Sequence, residues 1–432
     1  MSIGFRRTGG SDAAVGPRLG RLTTAHGEVD TPVFMPVGTL ANVKTLLPEE
    51  VASTGAQILL VNAYHLYLRP GPELIERLGG VHRFMDWHRP ILSDSGGFQV
   101  FSRANLRRVD DEGVLFRSHI DGSEHRYSPE LAIAVQRSLG VDIAMPLDHV
   151  VPGNATGFEA REGAIRTLRW YERSVAAAGD LAVFAIVQGG AHAGLRRWHA
   201  RELAACNAPG YSIGGLSVGE SKQEMWAMTE VVTAELPVDR PRYLMGVGSP
   251  EDLVNGVARG VDMFDCVLPT RLGRNGALFS DDGRLNIRNA RYRDQASPVV
   301  DGCDCAGCTR FSAAYLHHLF RNGELTRATV DHSYVQELVS TGHITEYEAR
   351  THPRRNIVTR ALGIEPTVRV DSWVVPLVRG DRWILCSDGL VDEVPDHEIA
   401  DVAAGVDDPQ RVADELVAMA NRHGGRDNTT VV

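Results

Sequence analysis

Eight short apolar segments recur along the N-terminal two thirds of the chain, and most of them end in glycine or a polar residue. Between them lie segments with helical periodicity, such as 159–177 and 220–236. Repeated units of a buried strand and a helix predict a closed (β/α)8 barrel, whose functional groups gather at the carboxyl ends of the strands. An open, doubly wound sheet is the alternative that this pattern leaves open. The apolar segments are 32–36, 57–63, 91–93, 142–147, 181–187, 211–213, 243–245 and 261–264.

Composition narrows the class of protein. The 432 residues are 43% hydrophobic and 23% charged, and no apolar run approaches the length that spans a bilayer. No apolar stretch follows the first arginines, so we expect no secretory signal and a cytoplasmic location without membrane contact. The net charge of −10 argues against general affinity for nucleic acids. A local group of arginines still predicts an RNA-facing surface, namely Arg271, Arg274, Arg284, Arg288, Arg291 and Arg293.

Two aspartates at the ends of predicted strands are candidates for catalysis. Asp94 precedes a Ser-Gly-Gly-Phe segment, in which the glycines let a backbone approach a ligand and the aromatic ring can stack on it. A turn with a capping aspartate is the alternative. Asp265 lies among apolar residues, where a carboxylate is costly unless it is hydrogen-bonded or used in chemistry. Two carboxylates at one barrel mouth suffice for double displacement at an anomeric carbon.

Polar residues and glycines between these aspartates predict a binding pocket. Asp148 and Gln188 can read the hydrogen-bonding edge of a guanine-like base, with help from backbone groups around Gly215. Each residue alone is a weak signal, because polar residues and glycines at strand ends also serve turns. Together they indicate a pocket for a planar, polar ligand.

Six motifs in this chain resemble the signature of the tRNA-guanine transglycosylases. They are HLYLRPG (65–71), SDSGGFQVF (93–101), VQGG (187–190), IGGLSVGE (213–220), LMGVGSPED (244–252) and DMFDCVLPTRLGRNG (262–276). The resemblance covers residues 1–325 and implies a (β/α)8 TIM barrel with a zinc-binding subdomain. It also implies a homodimer that replaces the wobble guanine of tRNAs with G-U-N anticodons by a 7-deazaguanine base. These are the tRNAs for aspartate, asparagine, histidine and tyrosine.

Site residues follow from the same resemblance. It implies that Asp265 is the nucleophile that expels guanine and forms a covalent glycosyl-enzyme, and that Asp94 deprotonates the incoming base. The implied substrate-binding residues, among which Phe98 and Met245 enclose the base, are Ser95, Gly96, Gly97, Phe98, Asp148, Gln188, Gly215 and Met245. The implied contacts with the anticodon loop are Gly246, Val247, Gly248, Ser249, Pro250, Glu251, Asp252, Thr270, Arg271, Leu272, Gly273 and Arg274.

One departure from the family concerns the incoming base. Many bacterial members have Phe-Asp-Glu-Cys where this chain has Leu-Asp-His-Val at 147–150, and the loop after 213 is closer to the eukaryotic catalytic subunit. The difference favours queuine over its smaller aminomethyl precursor. A non-catalytic, RNA-binding relative is the alternative function, but such a protein would be expected to lack Asp94 or Asp265, and both are present.

Three cysteines predict a structural zinc site. Cys303, Cys305 and Cys308 supply thiolates at close spacing, a donor set that suits Zn²⁺. The resemblance implies a histidine as fourth ligand. His332 lies near the expected place but slightly early in the chain.

From about residue 326 the sequence changes character. The segments 329–339, 352–356, 385–394 and 424–432 resemble the C-terminal half of type 2C metal-dependent phosphatases, in which Asp388 and Asp427 would bind Mg²⁺ or Mn²⁺. The motifs of the N-terminal half are absent, so a phosphatase is the less favoured function. We predict an incomplete, non-functional α+β fragment over 326–432, with strands at 372–378 and 383–386 and partly exposed apolar faces.

Overall fold

The computed structural model describes residues 3–11, 13–97, 107–118, 120–320, 329, 331–340, 344, 348–349, 352–355, 357–360, 370, 382–406 and 408–432. Two compact units divide between Arg271 and Leu272. The predicted boundary at 325/326 lies outside the described residues and stays a prediction.

All eight apolar segments contain strands, as predicted. In chain order the strands are β1 Gly4–Gly10, β2 Arg18–Thr24, β3 Gly27–Thr31, β4 Val33–Met35, β5 Val37–Gly38, β6 Leu59–Asn62, β7 Ile91–Asp94, β8 Arg107–Asp110, β9 Gly113–Arg117, β10 Glu124–Tyr127, β11 Ile143–Ala144, β12 Ala182–Val183, β13 Ala185–Val187, β14 Tyr211–Ile213, β15 Arg242–Leu244, β16 Met263–Asp265, β17 Ala277–Ser280 and β18 Gly283–Asn286.

Two parallel sheets make the centre of the first unit, in the orders β12-β11-β7-β6-β5 and β13-β14-β15-β16-β4. Only Pro36 separates β4 from β5, and only Phe184 separates β12 from β13. The N–H of Leu60 donates to the Pro36 carbonyl, and the N–H of Phe184 donates to the Ala144 carbonyl. The two sheets therefore continue into each other at both edges, which is the strand order of a (β/α)8 barrel.

Burial on both faces explains why the barrel strands read as continuous apolar runs. In β6, Leu60 belongs to the cluster inside the barrel, whereas Leu59 and Val61 pack in the cluster shared with the surrounding helices. At the amino ends of the strands, Arg18 donates two hydrogen bonds to Asp262, at 2.8 and 2.6 Å. This buried pair ties the β1-β2-β3 hairpin sheet to the strands of the barrel.

The helices follow local capping signals. Thr156 and Glu159 form a capping box before Gly157–Ala178, as do Ser221 and Glu224 before Lys222–Thr233. None of the described helices has both the length and the apolar character of a membrane span. The described α-helices are Pro48–Ser53, Ala63–Leu68, Pro72–Arg77, Val81–Phe84, Pro129–Leu139, Gly157–Ala178, Ala193–Ala205, Lys222–Thr233, Pro250–Ala258, Leu268–Arg274, Ala306–Arg310, Ala313–Phe320, Tyr334–Ser340, Asp388–Val391, Asp396–Gly405 and Pro409–His423.

The second unit contains two small cores among its described residues. One joins the β17–β18 hairpin to the helix Ala313–Phe320 and includes Ile287, Tyr292 and Val299. The other lies in the three C-terminal helices and consists of Leu390, Val394, Ile399, Val412, Leu416 and Ala420. The C-terminal part thus has a core of its own.

Other parts of the C-terminal segment differ from the predicted strands. Residues 383–385 form no strand, and Cys386 makes a single antiparallel bridge with Val431. The predicted strand at 372–378 lies outside the described residues. Several apolar side chains here are exposed, including Leu385, 65% exposed, and Val432, 77% exposed. The core of the last three helices therefore leaves part of the apolar surface uncovered.

Candidate active site

Asp265 ends β16 with its carboxylate held on one side. The Tyr243 hydroxyl and the Gly246 N–H both donate to Oδ1, each at 2.6 Å. Oδ2 accepts no hydrogen bond from the part of the chain that the structure describes. Burial raises the pKa of Asp265, and the two hydrogen bonds act in the opposite direction because they stabilise the ionised form. The arrangement leaves one carboxylate oxygen available for a ligand.

Asp94 ends β7 and contacts the end of the neighbouring strand. The side-chain amide of Asn62, at the end of β6, donates to Asp94 Oδ2 at 2.9 Å. Asn62 also caps the helix Ala63–Leu68, because its Oδ1 accepts from the N–H of His65. The cap fixes the orientation of the Asn62 amide and thereby that of the Asp94 carboxylate.

Asp148 and Gln188 form a buried polar pair. Gln188 Nε2 donates to Asp148 Oδ2 at 2.7 Å. Gln188 is 1% exposed and Asp148 is 3% exposed. Gln188 Oε1 is buried and has no hydrogen-bond partner among the described residues. A buried acceptor without a donor is costly, so this oxygen indicates a place for a ligand N–H.

Two glycines leave the space in which these side chains meet. A Cβ on Gly97 would lie 2.4 Å from Asp148 Oδ1, and a Cβ on Gly215 would lie 2.2 Å from Gln188 Oε1. Gly215 also has a φ of +59°, a conformation that other residues rarely adopt. The glycines in the two predicted motifs are therefore required by close approach to the polar pair.

Electrostatic effects connect Asp94 with Asp148 and, through Tyr243, with Asp265. Burial raises the pKa of Asp148 to about 7, and the negative charge of Asp94 adds to the rise. The pKa of Tyr243 is raised well above its ordinary value by burial and then by Asp265, with a further contribution from Asp94. Asp94 thus lies close enough to Asp148 and Tyr243 to disfavour a negative charge on either side chain, as expected for groups at one barrel mouth.

The remaining predicted substrate-binding residues lie beside this group. The Ser95 carbonyl accepts a hydrogen bond from the Tyr127 hydroxyl at 3.1 Å, and Gly97 N–H donates to Ser95 Oγ. Gly96 packs against Tyr64, and Met245 is half-buried against the cluster inside the barrel. Phe98 lies outside the described residues.

The predicted RNA-binding segment 246–252 has both exposed and structural members. Gly246, Pro250 and Glu251 are exposed, whereas Val247 and Gly248 are buried. Ser249 caps the helix Pro250–Ala258, and the buried Asp252 accepts from the Trp226 indole N–H at 3.2 Å. The exposed members are accessible to another molecule, and of these Glu251 pairs with Lys222 at 2.8 Å.

The second predicted RNA-binding segment, 270–274, lies in the helix Leu268–Arg274. Arg271 is exposed, Thr270, Gly273 and Arg274 are half-buried, and Leu272 is buried. In the second unit the predicted arginine group is largely exposed as well, at Arg284, Arg288, Arg291 and Arg293.

Cys303, Cys305 and Cys308 form a compact group in the second unit. Their sulfur atoms lie within 4.8 Å of one another, which is compatible with three ligands of one metal ion. The N–H of Cys308 donates to Cys305 Sγ at 3.4 Å, so the helix Ala306–Arg310 fixes part of the group. Among the described residues, His332 does not belong to this group of atoms within 4.8 Å of one another. Its role as a ligand stays a prediction.

Two residues of the site, Asn62 and Tyr243, were not predicted from the sequence. Asn62 had a visible signal, because it is a polar residue at the end of a predicted strand, as Asp94 is. Tyr243 had none, since an aromatic residue in an apolar run reads as core, and it is 1% exposed. The parallel pairing of β15 with β16 brings its hydroxyl to Asp265.

Comparison with known proteins supplies the family. The profile of the family described as queuine tRNA-ribosyltransferase, abbreviated TGT, matches residues 12–332. The chain belongs to this family, which confirms the predicted resemblance over that range.

The relatives share more than half of the aligned residues. The queuine tRNA-ribosyltransferase of Herpetosiphon aurantiacus is 57% identical over 310 residues, which are 71% of this chain and 79% of the relative. The protein of that name from Moorella thermoacetica is 51% identical over 358 residues, 80% of this chain and 96% of the relative. The protein of that name from Desulforudis audaxviator is 57% identical over 317 residues, which are 73% of this chain and 85% of the relative. These comparisons give no support to the phosphatase-like resemblance of 326–432.

Proposed function

We propose that this chain exchanges the wobble guanine of tRNAs with G-U-N anticodons for a 7-deazaguanine base, through a covalent Asp265-ribosyl intermediate. One observation carries the proposal. The pocket offers two buried acceptors, Asp148 and Gln188 Oε1, beside the backbone donor Gly215 N–H. The guanine edge presents the complementary set, with donors at N1 and the 2-amino group and an acceptor at O6. Incorporation of labelled guanine into tRNA tests the proposal.

The chemistry has two displacement steps. Asp265 Oδ2 attacks the ribose anomeric carbon, the glycosidic bond to guanine breaks, and its electron pair leaves with the base, which takes up a proton from solvent. Asp94 then removes a proton from the incoming base, whose nitrogen attacks the same carbon and releases the Asp265 carboxylate. No oxidant or metal is consumed, and the ribose configuration is retained after two inversions.

The target nucleotide must leave its stack to reach this pocket. Unstacking costs least in a loop, which favours the anticodon loop as the substrate region. We propose that the exposed parts of 246–252 and 270–274 contact that loop, and that two copies of the chain form a homodimer. We keep queuine as the favoured incoming base because of the sequence at 147–150.

The protonation of Asp148 gives the proposal a pH dependence. Its pKa is raised to about 7, and the ionised carboxylate accepts from the N–H groups of guanine more strongly than the protonated acid does. As the pH rises from 6 to 8 the ionised fraction increases, so the inhibition constant of free guanine is expected to fall by about tenfold. Asp148→Asn should remove most of this change, and an unaltered pH profile in the variant would show that another group is responsible.

We propose that Cys303, Cys305 and Cys308 hold a structural Zn²⁺, with His332 as the fourth ligand. The three sulfur atoms fit this ion in number, type and spacing. Zinc bound there would stabilise the local fold, and no chemical step uses it. We propose that residues 1–325 form the transglycosylase and that residues 326–432 form a non-functional segment. We propose no catalytic role for Asp388 or Asp427.

Cys308→Ser is expected to lower the zinc content from about one ion per chain to well below half, because two thiolates hold zinc less tightly than three. Metal analysis of the purified protein measures this. Cys206→Ser is the matched control, since Cys206 lies on a helix end away from the cysteine group in sequence and is exposed. Equal zinc in all three proteins would place the metal elsewhere.

A further inference from the structure

Arg196 is a fully buried cation on the helix Ala193–Ala205, and it contacts both loops that carry the proposed base-binding residues. Its Nε donates to the Gly190 carbonyl at 2.6 Å. Its Nη1 and Nη2 donate to the Gly214 carbonyl at 3.1 and 3.0 Å, and Nη2 also donates to the Gly215 carbonyl at 2.9 Å. The side chain is 0% exposed. One guanidinium therefore joins the loop after Gln188 to the loop that contains Gly215.

These contacts set the direction of a peptide group. In a trans peptide the carbonyl and the following N–H point in opposite directions. Because Arg196 holds the Gly214 carbonyl, the N–H of Gly215 points away from the guanidinium. This N–H makes no hydrogen bond to any residue that the structure describes, and Gly215 is only half-buried. A ligand can therefore accept from it.

A second residue on the same helix supports the neighbouring loop. His199, three residues after Arg196, is fully buried, and its Nδ1 accepts from the backbone N–H of Gln188 at 2.9 Å. Burial lowers the pKa of His199 to about 3, so the ring is neutral and Nδ1 remains an acceptor. Residues 196 and 199 lie on one face of the helix, which thus fixes the backbone at both Gln188 and Gly215.

The cost of burying Arg196 argues for a specific role. Burial lowers its pKa to about 10, so the guanidinium still carries its charge at neutral pH. Its hydrogen bonds within the described part of the chain all go to backbone carbonyls. A guanidinium can hold several carbonyls at fixed angles because its donors are coplanar, whereas lysine is a single point charge.

We propose that Arg196 is a positioning residue that fixes the Gly215 N–H as the donor for the 6-oxo group of the purine, and so determines the preference for a 6-oxo base. The inference rests on the proposed function and deepens it. Arg196 would then determine the preference for a 6-oxo base without touching the base itself.

The test compares two free bases as inhibitors of exchange, guanine and 6-thioguanine. The thio analogue keeps the N1 and 2-amino donors but has a weak acceptor at position 6. The unmodified protein is expected to prefer guanine by about tenfold, the effect of one good hydrogen bond. In Arg196→Lys this preference should fall to within about twofold, because lysine cannot hold both carbonyls. Arg201→Lys is the control, since Arg201 lies on the same helix but pairs with Glu235 at the surface.

The outcomes separate this inference from the proposed function. If guanine neither binds to the unmodified protein nor inhibits exchange, the proposed function is wrong, and this inference is wrong as well. If guanine binds and Arg196→Lys weakens both bases equally, Arg196 is only structural and the inference alone is overturned. Hydrogen exchange on the unmodified protein gives a test that needs no variant. Guanine should slow exchange in the peptide that contains Gly215, and unchanged exchange with guanine bound would overturn the inference.

Discussion

Asp265→Ala is expected to abolish the covalent capture of tRNA and to lower base exchange by about four orders of magnitude or more, as loss of a nucleophile does in other covalent mechanisms. The reason is positional. Asp265 Oδ2 is the oxygen left free by the two hydrogen bonds to Oδ1. Asp94 bonds to Asn62 through Oδ2 and is proposed to handle protons instead.

Denaturing gels of protein mixed with tRNA measure the capture, since a covalent complex migrates above the free protein. Asp265→Asn is the matched variant, because the amide keeps the size of the side chain and one oxygen for Tyr243. It should bind guanine yet form no covalent band. A shifted band that survives in Asp265→Ala would exclude this carboxylate as the nucleophile.

Asp94→Asn is expected to trap tRNA at a normal level but to turn over about 10² to 10⁴ times more slowly, the range typical of a lost general acid or base. Attack by Asp265 precedes the proton removal that Asp94 serves, so the intermediate should accumulate. The amide has the same shape, and Asn62 can still contact its oxygen.

Two assays on one preparation check the role of Asp94, namely the gel for covalent complex and the rate of guanine incorporation. Asp86→Asn serves as control, because Asp86 is an exposed aspartate whose side chain is 86% accessible. If Asp94→Asn turns over as fast as the unmodified protein, Asp94 has no part in proton transfer.

The barrel could be predicted from sequence because its strands are buried on both faces. An apolar run does not reveal where strand pairing stops, however. Segment 142–147 forms a strand only at Ile143–Ala144, although Met145 and Leu147 are fully buried. Segment 181–187 is interrupted at Phe184, where the chain changes its partner from β11 to β14. The N–H groups of Met145 and Phe184 still donate to the Ser93 and Ala144 carbonyls, each at 3.1 Å, so burial and hydrogen bonding both continue beyond the strand ends.

The candidate site was predictable where a polar residue ends an apolar strand. Asp94 and Asp265 end their strands and Asp148 follows the apolar segment 142–147, and the glycines near them point to close approach. Arg196 does not follow this pattern, because an arginine on an amphipathic helix ordinarily faces solvent. Its contacts with Gly214 and Gly215 are 18 and 19 residues away in sequence. Such contacts are set by the packing of the helix on the barrel.

The C-terminal segment was predicted less well. Missing motifs suggested an unsupported fragment, yet the described helices bury Leu390, Leu416 and neighbouring residues in a core. Helical periodicity lets such a segment form a local core without the sheet that the resemblance implies. Exposed residues such as Leu385 still match the predicted exposure.

The central claim is that this chain exchanges guanine at the wobble position, and incorporation of radiolabelled guanine into tRNA tests it most directly. We expect label to enter a tRNA with a G-U-N anticodon, at no more than one guanine per molecule. We expect no label in the same tRNA when the wobble guanine is replaced by adenine. Label that enters both tRNAs equally, or neither of them with folded protein, would show that the chain does not exchange guanine at this position.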